Sequence, residues 1–207
     1  NTHGEIALEK AGIIKNESTV VIGEYLPQSA IVFEKVSKNM NAKLIKAFEK
    51  YELDKIEYDD KYQKVYLKDK KVVKTDLMGP YQSKNIITSL VSFETLKKED
   101  PRLKLEHYFS GIKNVKKKSG FEGRWQIINE KPRVILECGH NKDGINEIVD
   151  NIDKFKCKHI VFGCVDDKDH VSIIELLPKD SNYYLCRPDI PRGLSQKKLY
   201  EIFGSIG

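Results

Sequence analysis

Apolar and polar positions change rhythm twice along this chain. From Glu5 to Ala11 the apolar residues fall at helical spacing and stop at Gly12, which predicts a short helix. The β-branched run Thr19-Val20-Val21-Ile22, closed by Gly23, predicts a strand. Between Gln28 and Asn41, Ile31, Val32, Val36 and Met40 recur near helical spacing, so a helix follows that strand. From Lys43 to Lys74 the rhythm shortens to alternation. Lys64-Val65-Tyr66-Leu67 and Lys71-Val72-Val73-Lys74 flank Lys68-Asp69-Lys70 and predict an antiparallel hairpin. Helical spacing returns over Tyr81–Lys97, with Ile86, Leu90, Phe93 and Leu96 on one face, and again over Lys104–Ile112.

The second change comes after Lys116-Lys117-Lys118-Ser119-Gly120, a polar stretch ending in glycine that reads as a linker. Beyond it, strands are expected at Arg133–Glu137, His159–Gly163 and Asn182–Cys186, with helices at Gly144–Phe155 and Val171–Leu177 between them. Apolar, β-rich strands alternating with helices are the pattern of a parallel sheet covered on both faces. The expected class is α/β, in two domains spanning 1–119 and 120–207. Ligands in such sheets bind beyond the carboxyl ends of the strands. That places Glu137–Asn141 on a functional rim, with Gly163–Asp169 beside it.

Charge sharpens the division. Residues 1–121 hold 23 Lys/Arg against 17 Asp/Glu, whereas 122–207 hold 13 against 14, so the sign changes where the rhythm does. The lysines of the first block are interleaved with acids and form no helical basic stripe, so no nucleic-acid partner is expected. No apolar run reaches the length of a membrane span, and NTHGEIALEK lacks the features of a signal peptide. Cys138, Cys157, Cys164 and Cys186 form no C-x-x-C pair and sit in or beside apolar runs. Buried free thiols in a reducing cytoplasm are therefore expected, rather than disulfides or zinc ligands.

The chain contains neither G-x-G-x-x-G at the rim nor a G-x-x-x-x-G-K-[ST] phosphate loop anywhere. The rim offers complementary groups instead: a carboxylate (Glu137) that accepts from ribose hydroxyls, a histidine (His140) and an amide (Asn141). Upstream, Arg124 follows Gly123, and a guanidinium fork suits phosphate oxygens. Taken alone, Arg124 reads first as a surface ion-pair partner, and Lys10 as one more exposed lysine on a short helix.

In chain order, EKAGIIK (9–15), VVIGE (20–24), LMGPYQSKN (77–85), GFEGRW (120–125), ECGHN (137–141) and DDKD (166–169) resemble the folylpolyglutamate synthase/dihydrofolate synthase family of the Mur ligase superfamily. The resemblance runs over nearly the whole chain. It implies the later part of a P-loop-type central ATPase domain followed by a Rossmann-like parallel α/β C-terminal domain. It also implies an ATP-dependent ligase that adds L-glutamate to folate or dihydropteroate through an acyl phosphate, acting as a monomer and using Mg2+. Family roles fall on Lys10 (carbamylated, holding metal), Asn85 (adenine), Arg124 (ATP phosphate), Glu137 (ribose) and His140 (near the phosphates, in a catalytic supporting role). Asn141 is expected to hold the turn. Glu137 departs from the family's aspartate, and Tyr81 stands where many members have histidine. The phosphate loop and much of the pterin region are expected to precede Asn1, so the piece alone is expected to be inactive. The alternatives are a Mur-type cell-wall amino acid ligase and a non-catalytic nucleotide-binding α/β module.

Overall fold

The computed structural model describes residues 2–206 apart from Pro80, His140, Cys157 and Lys168, and leaves the side chains of Asp143 and Ile206 undescribed. The chain divides into two compact units, Asn1–Leu136 and Glu137–Gly207.

The first unit opens with α1 (His3–Ala11), which has a reciprocal cap: Thr2 Oγ1 accepts from the Glu5 N–H and Glu5 accepts from the Thr2 N–H. β1 (Thr19–Ile22), α2 (Pro27–Asn39) and β2 (Lys43–Lys46) form a strand–helix–strand crossover. β1 and β2 pair in parallel, Thr19 opposite Lys43 through Ile22 opposite Lys46. The short α3 (Ala47–Lys50) leads into an antiparallel sheet of β3 (Leu53–Tyr58), β4 (Gln63–Leu67) and β5 (Val72–Thr75), with β4 in the centre. The expected hairpin is present, with Val65 opposite Val73; its Asp69 accepts from the Lys71 N–H in the turn.

Helices α4 (Gln82–Glu99) and α5 (Leu105–Lys113) complete the core. Val65, Val73, Ile86, Leu90, Val91 and Tyr108 are all buried in one cluster. Leu96, expected on the same face of α4, is instead 55% exposed. It lies past Val91, the last buried residue of the helix. On α2 the buried residues are Ala30 and Ser37, so the expected apolar stripe is displaced, and Ile31 stands 66% exposed.

The stretch expected to be a linker is a helix, α6 (Val115–Ser119), closed by Gly120 in the left-handed region. The cause lies far upstream in the chain: both Asp76 carboxylate oxygens accept from its first N–H groups, Val115 at 2.9 Å and Lys116 at 3.1 Å. Next comes a hairpin of β6 (Gln126–Glu130) and β7 (Arg133–Leu136), turned at Lys131-Pro132 and pinned by Asn129 Nδ2 donating to the Pro132 carbonyl. The first strand expected in the parallel series, Arg133–Glu137, is thus paired antiparallel as β7, with a partner the sequence pattern did not reveal.

In the second unit, α7 (Lys142–Ile152), β8 (His159–Phe162), α8 (His170–Ile174), β9 (Asn182–Leu185) and α9 (Gln196–Ile206) follow in order. β8 and β9 are parallel, His159 opposite Asn182 through Phe162 opposite Leu185. Ile145, Ile173, Ile174, Leu177, Leu194 and Leu199 form the buried core, with Phe162, Tyr183 and Phe203 packed against it. Cys138, Cys164 and Cys186 are free; Cys138 is exposed and the other two half-buried, while Cys157 lies outside the described residues.

Candidate functional site

In the first unit, β1 leads from Ile22 into Gly23 and Glu24 beside α4. A Cβ on Gly23 would lie 2.3 Å from Thr88 Oγ1, so a residue without a side chain lets the strand end seat on that helix. Lys84 Nζ then pairs with Glu24 Oε1 at 2.6 Å. One residue further on, Asn85 is exposed, and its Nδ2 donates to Oε1 of the buried Gln82 at 3.1 Å. That bond fixes the amide while its oxygen remains an acceptor. Glu24 and Lys84 were given no role from the sequence, although the glycine after a β-branched run marks a close backbone approach.

Lys10 lies in the last turn of α1, exposed. Among the described residues no group of three His, Cys, Asp or Glu side chains gathers to hold a metal ion. The residues in hand therefore do not by themselves fit a magnesium site at Lys10.

Arg124 is half-buried on the loop between α6 and β6. Its surroundings are conformationally unusual: Gly120 has φ +65°, Gly123 φ +70° and Trp125 φ +47°. A tryptophan in that region is costly, and such residues persist where their surroundings over-determine them. One determinant is visible, since Gln126 Oε1 accepts from the Gly123 N–H at 2.9 Å. Arg124 Nη1 approaches the Gly123 carbonyl at 3.4 Å.

The second unit begins at Glu137, between β7 and α7. Glu137 Oε1 accepts from the N–H groups of Cys138 at 2.9 Å and Gly139 at 3.0 Å, so the carboxylate is held by its own following backbone. Asn141 caps α7, its Oδ1 accepting from the Gly144 N–H at 2.8 Å. A side chain at either glycine would have to displace a neighbouring one. A Cβ on Gly139 would meet Ile148 Cδ1 at 2.4 Å, and one on Gly144 would meet Asn141 Oδ1 at 2.7 Å. His140 lies outside the described residues.

The carboxyl ends of β8 and β9 continue into two loops that clasp each other. The Leu194 N–H donates to the Cys164 carbonyl and the Asp166 N–H to the Arg192 carbonyl, both at 2.9 Å. Side chains lock the same contact: Lys198 Nζ to Asp166 at 2.9 Å and Arg192 Nη1 to Asp167 at 3.1 Å. The Lys198 ammonium holds the Asp166 carboxyl below its ordinary value. Asp169 caps α8 by accepting from the Ser172 N–H and hydroxyl, and those bonds lower its carboxyl too. Between the loops is a cleft of about 450 Å3, lined by Asp166, Asp167, Arg192, Ser195 and Lys198 among others. The sequence pattern pointed to the first loop; it gave no signal for the second beyond the turn residues of Arg187–Gly193.

Residues 123–206 match the family described as Mur ligase, glutamate ligase domain. The dihydrofolate synthase/folylpolyglutamate synthase of Bacillus subtilis is 27% identical over 97% of this chain and 48% of its own length. The folylpolyglutamate synthase of Lacticaseibacillus casei is 23% identical over 92% of this chain and 46% of its own. The chain thus spans about half the length of these relatives. Among solved structures, Mycobacterium tuberculosis folylpolyglutamate synthase complexed with ADP and AMPPCP superposes with a TM-score of 0.82 at 21% identity, over 98% of this chain and 47% of that one. An FPGS–AMPPCP–folate complex gives 0.80 at 22% identity, covering 97% and 50%. These superpositions establish a shared α/β fold. Residues 123–206 thus match a Mur ligase glutamate ligase domain, and nearly the whole chain is similar to proteins named folylpolyglutamate synthase and dihydrofolate synthase/folylpolyglutamate synthase.

Proposed function

We propose that this chain is the later half of an ATP-dependent ligase that joins L-glutamate to folate or dihydropteroate. The observation that carries the reading is the pair of polar groups between β7 and α7, within the match to the glutamate ligase domain: the Glu137 carboxylate, already oriented by two backbone N–H groups, and the Asn141 amide that caps the next helix. The relatives' names and their complexes with ADP, AMPPCP and folate support the substrate assignment.

In this reading ATP activates the acceptor's carboxylate as an acyl phosphate, and the glutamate amine displaces phosphate. Such chemistry depends mainly on positioning and on neutralising charge. Asn85 offers its amide to an adenine edge, Arg124 its guanidinium to phosphate oxygens, and Glu137 its carboxylate to ribose hydroxyls. His140 is assigned to the phosphates. The cleft between the β8 and β9 loops suits a zwitterion. An amino acid's carboxylates would exchange onto Arg192 and Lys198, and its ammonium onto Asp166 or Asp167. Magnesium and a carbamylated Lys10 belong to the same reading, but they require ligands beyond the described residues, so no step is routed through them.

The free thiols suit a reducing, cytoplasmic setting. No helix among the described residues is long and apolar enough to cross a membrane. We expect a monomer with no nucleic-acid partner. The chain has no G-x-x-x-x-G-K-[ST] loop, so turnover by it alone is not expected.

Calorimetric titration with AMPPCP tests the assignment. Arg124→Ala and Glu137→Gln should each weaken binding about tenfold, the effect of losing one charge-assisted contact of about 1.4 kcal/mol. Unchanged affinity in both variants would remove these residues from the nucleotide site.

A further inference from the structure

Like charges directly opposite each other on neighbouring strands destabilise a sheet. Lys64 of β4 and Lys74 of β5 stand in that relation. A single carboxylate oxygen serves both: Asp59 Oδ2 lies 3.7 Å from Lys64 Nζ and 3.4 Å from Lys74 Nζ. The other oxygen is committed to the turn before β4, where Asp59 Oδ1 accepts from the Lys61 and Tyr62 N–H groups at 3.1 and 2.8 Å. Glu57, opposite Lys64 on β3, is already engaged, its oxygens accepting from Lys55 Nζ and the Tyr66 hydroxyl, both at 2.7 Å.

A helix adds to the excess of positive charge. The Tyr62 ring receives Lys74 Nζ at 4.1 Å from its centre and Lys113 Nζ, from the last turn of α5, at 5.8 Å. The ring thus draws ammonium groups from the sheet and from α5 to one place. Lys61 and Lys113 are exposed and have no acidic partner among the described residues. Asp60, exposed in the same turn, pairs with none of these lysines among the described residues. Past Lys113 come Lys116, Lys117 and Lys118, and residues 107–121 contain no Asp or Glu.

We propose that Lys61, Lys64, Lys74 and Lys113, gathered around Tyr62, bind a chain of carboxylates: the oligoglutamate tail of a folate that the ligase has already lengthened. The choice of ligand rests on the ligase reading. Each glutamate joined through an amide consumes one carboxylate and brings two, so the acceptor gains one negative charge per round. Exposed ion pairs are individually weak, so a single glutamate gains little here. Carboxylates linked along one chain meet successive ammonium groups, and attraction grows with chain length. A single-stranded nucleic acid suits the surface less. The Tyr62 and Tyr66 rings already carry ammonium groups, Lys55 Nζ lying 4.8 Å from the centre of Tyr66, so neither is an open platform for base stacking.

The test titrates residues 1–207 with γ-linked diglutamate and pentaglutamate, followed by calorimetry and amide resonances. The pentamer is expected to bind about tenfold more tightly than the dimer. Its shifts should centre on Asp59–Lys64, Lys74 and Lys113, and its affinity should fall about tenfold from about 0.05 to about 0.5 M NaCl. Lys61→Gln and Lys113→Gln lie at exposed positions and should each weaken the pentamer about threefold with melting unchanged. Lys35→Gln, on exposed ground in α2, removes the same charge and should leave affinity almost unchanged. Asp59→Asn keeps an acceptor for the turn but releases Lys64 and Lys74, so it should tighten binding about threefold. Absence of binding, equal affinity for dimer and pentamer, or shifts centred elsewhere would each overturn the proposal. So would a loss in Lys35→Gln as large as in Lys113→Gln, or tighter binding of an oligothymidylate of equal charge. AMPPCP titration of the same samples separates the two readings: pentamer binding without AMPPCP binding removes the ligase and leaves the lysine site, and the converse does the reverse.

Discussion

Replacing Asn141 by Ala removes the side-chain acceptor that holds the Gly144 N–H at 2.8 Å and leaves that first-turn donor to solvent. Loss of such a cap costs about 1 kcal/mol. Helix α7 is only 11 residues long and contributes Ile145, 4% exposed, to the core of the second unit. Fraying of its first turn therefore reaches packed side chains. For a unit of this size, about 1 kcal/mol lowers the melting temperature by about 4–8 °C. Thermal melts and amide exchange along α7 read the effect. Asn141→Asp and Asn141→Ser retain an acceptor oxygen and should stay near the parent value. Gly144→Ala drives a methyl to within 2.7 Å of the same oxygen, so it should cost a similar amount and add little to Asn141→Ala. If Asn141→Asp damages stability as much as Asn141→Ala, or if the two lesions add fully, the amide does not act as a cap and the reasoning fails.

Three further outcomes are expected. Burial pushes the Tyr108 hydroxyl up to about 12. Because the folded value is raised above an unfolded value of about 10, the associated stability is complete below pH 10. It is lost as pH rises towards 12, about 3 kcal/mol at most. Urea unfolding of the first unit should lose much of that alkaline slope in Tyr108→Phe. Leu90→Ala should cost about 2–5 kcal/mol, whereas Leu96→Ala should stay within about 0.5 kcal/mol, a contrast that chemical denaturation resolves. Gly139→Ala, whose methyl would meet Ile148, should shift α7 resonances and destabilise the second unit by about 1–3 kcal/mol.

Much of the fold was legible because periodicity reports burial directly. The hairpin of β4 and β5, the long helix α4 and the strands β8 and β9 all declared themselves this way. The misses share a different cause. α6 is polar after Val115 and exists because a distant carboxylate caps it, which no local pattern encodes. β6 and β7 carry exposed apolar residues such as Ile128 and Val134 on a hairpin with little buried face, so alternation was weak. On α2, Ala30 and Ser37 rather than the larger Ile31 face inward, because small residues allow close packing there. Near the candidate site, the end of β7 and the start of α7 were readable from an apolar run that gives way to polar residues. The loop of Arg187–Gly193 was not, since its place opposite Asp166 and Asp167 depends on strand order.

The Asp76 carboxylate that caps α6 has a kinetic consequence. A five-residue helix does not persist alone, since nucleation costs more than so few bonds return. Its cap arrives from 39 residues upstream, at the end of β5. Residues 115–119 can therefore turn helical only after β5 has found its place. Their amides should gain protection last among the helices of the first unit during refolding, and Asp76→Ala should accelerate their exchange without slowing formation of the β4–β5 hairpin.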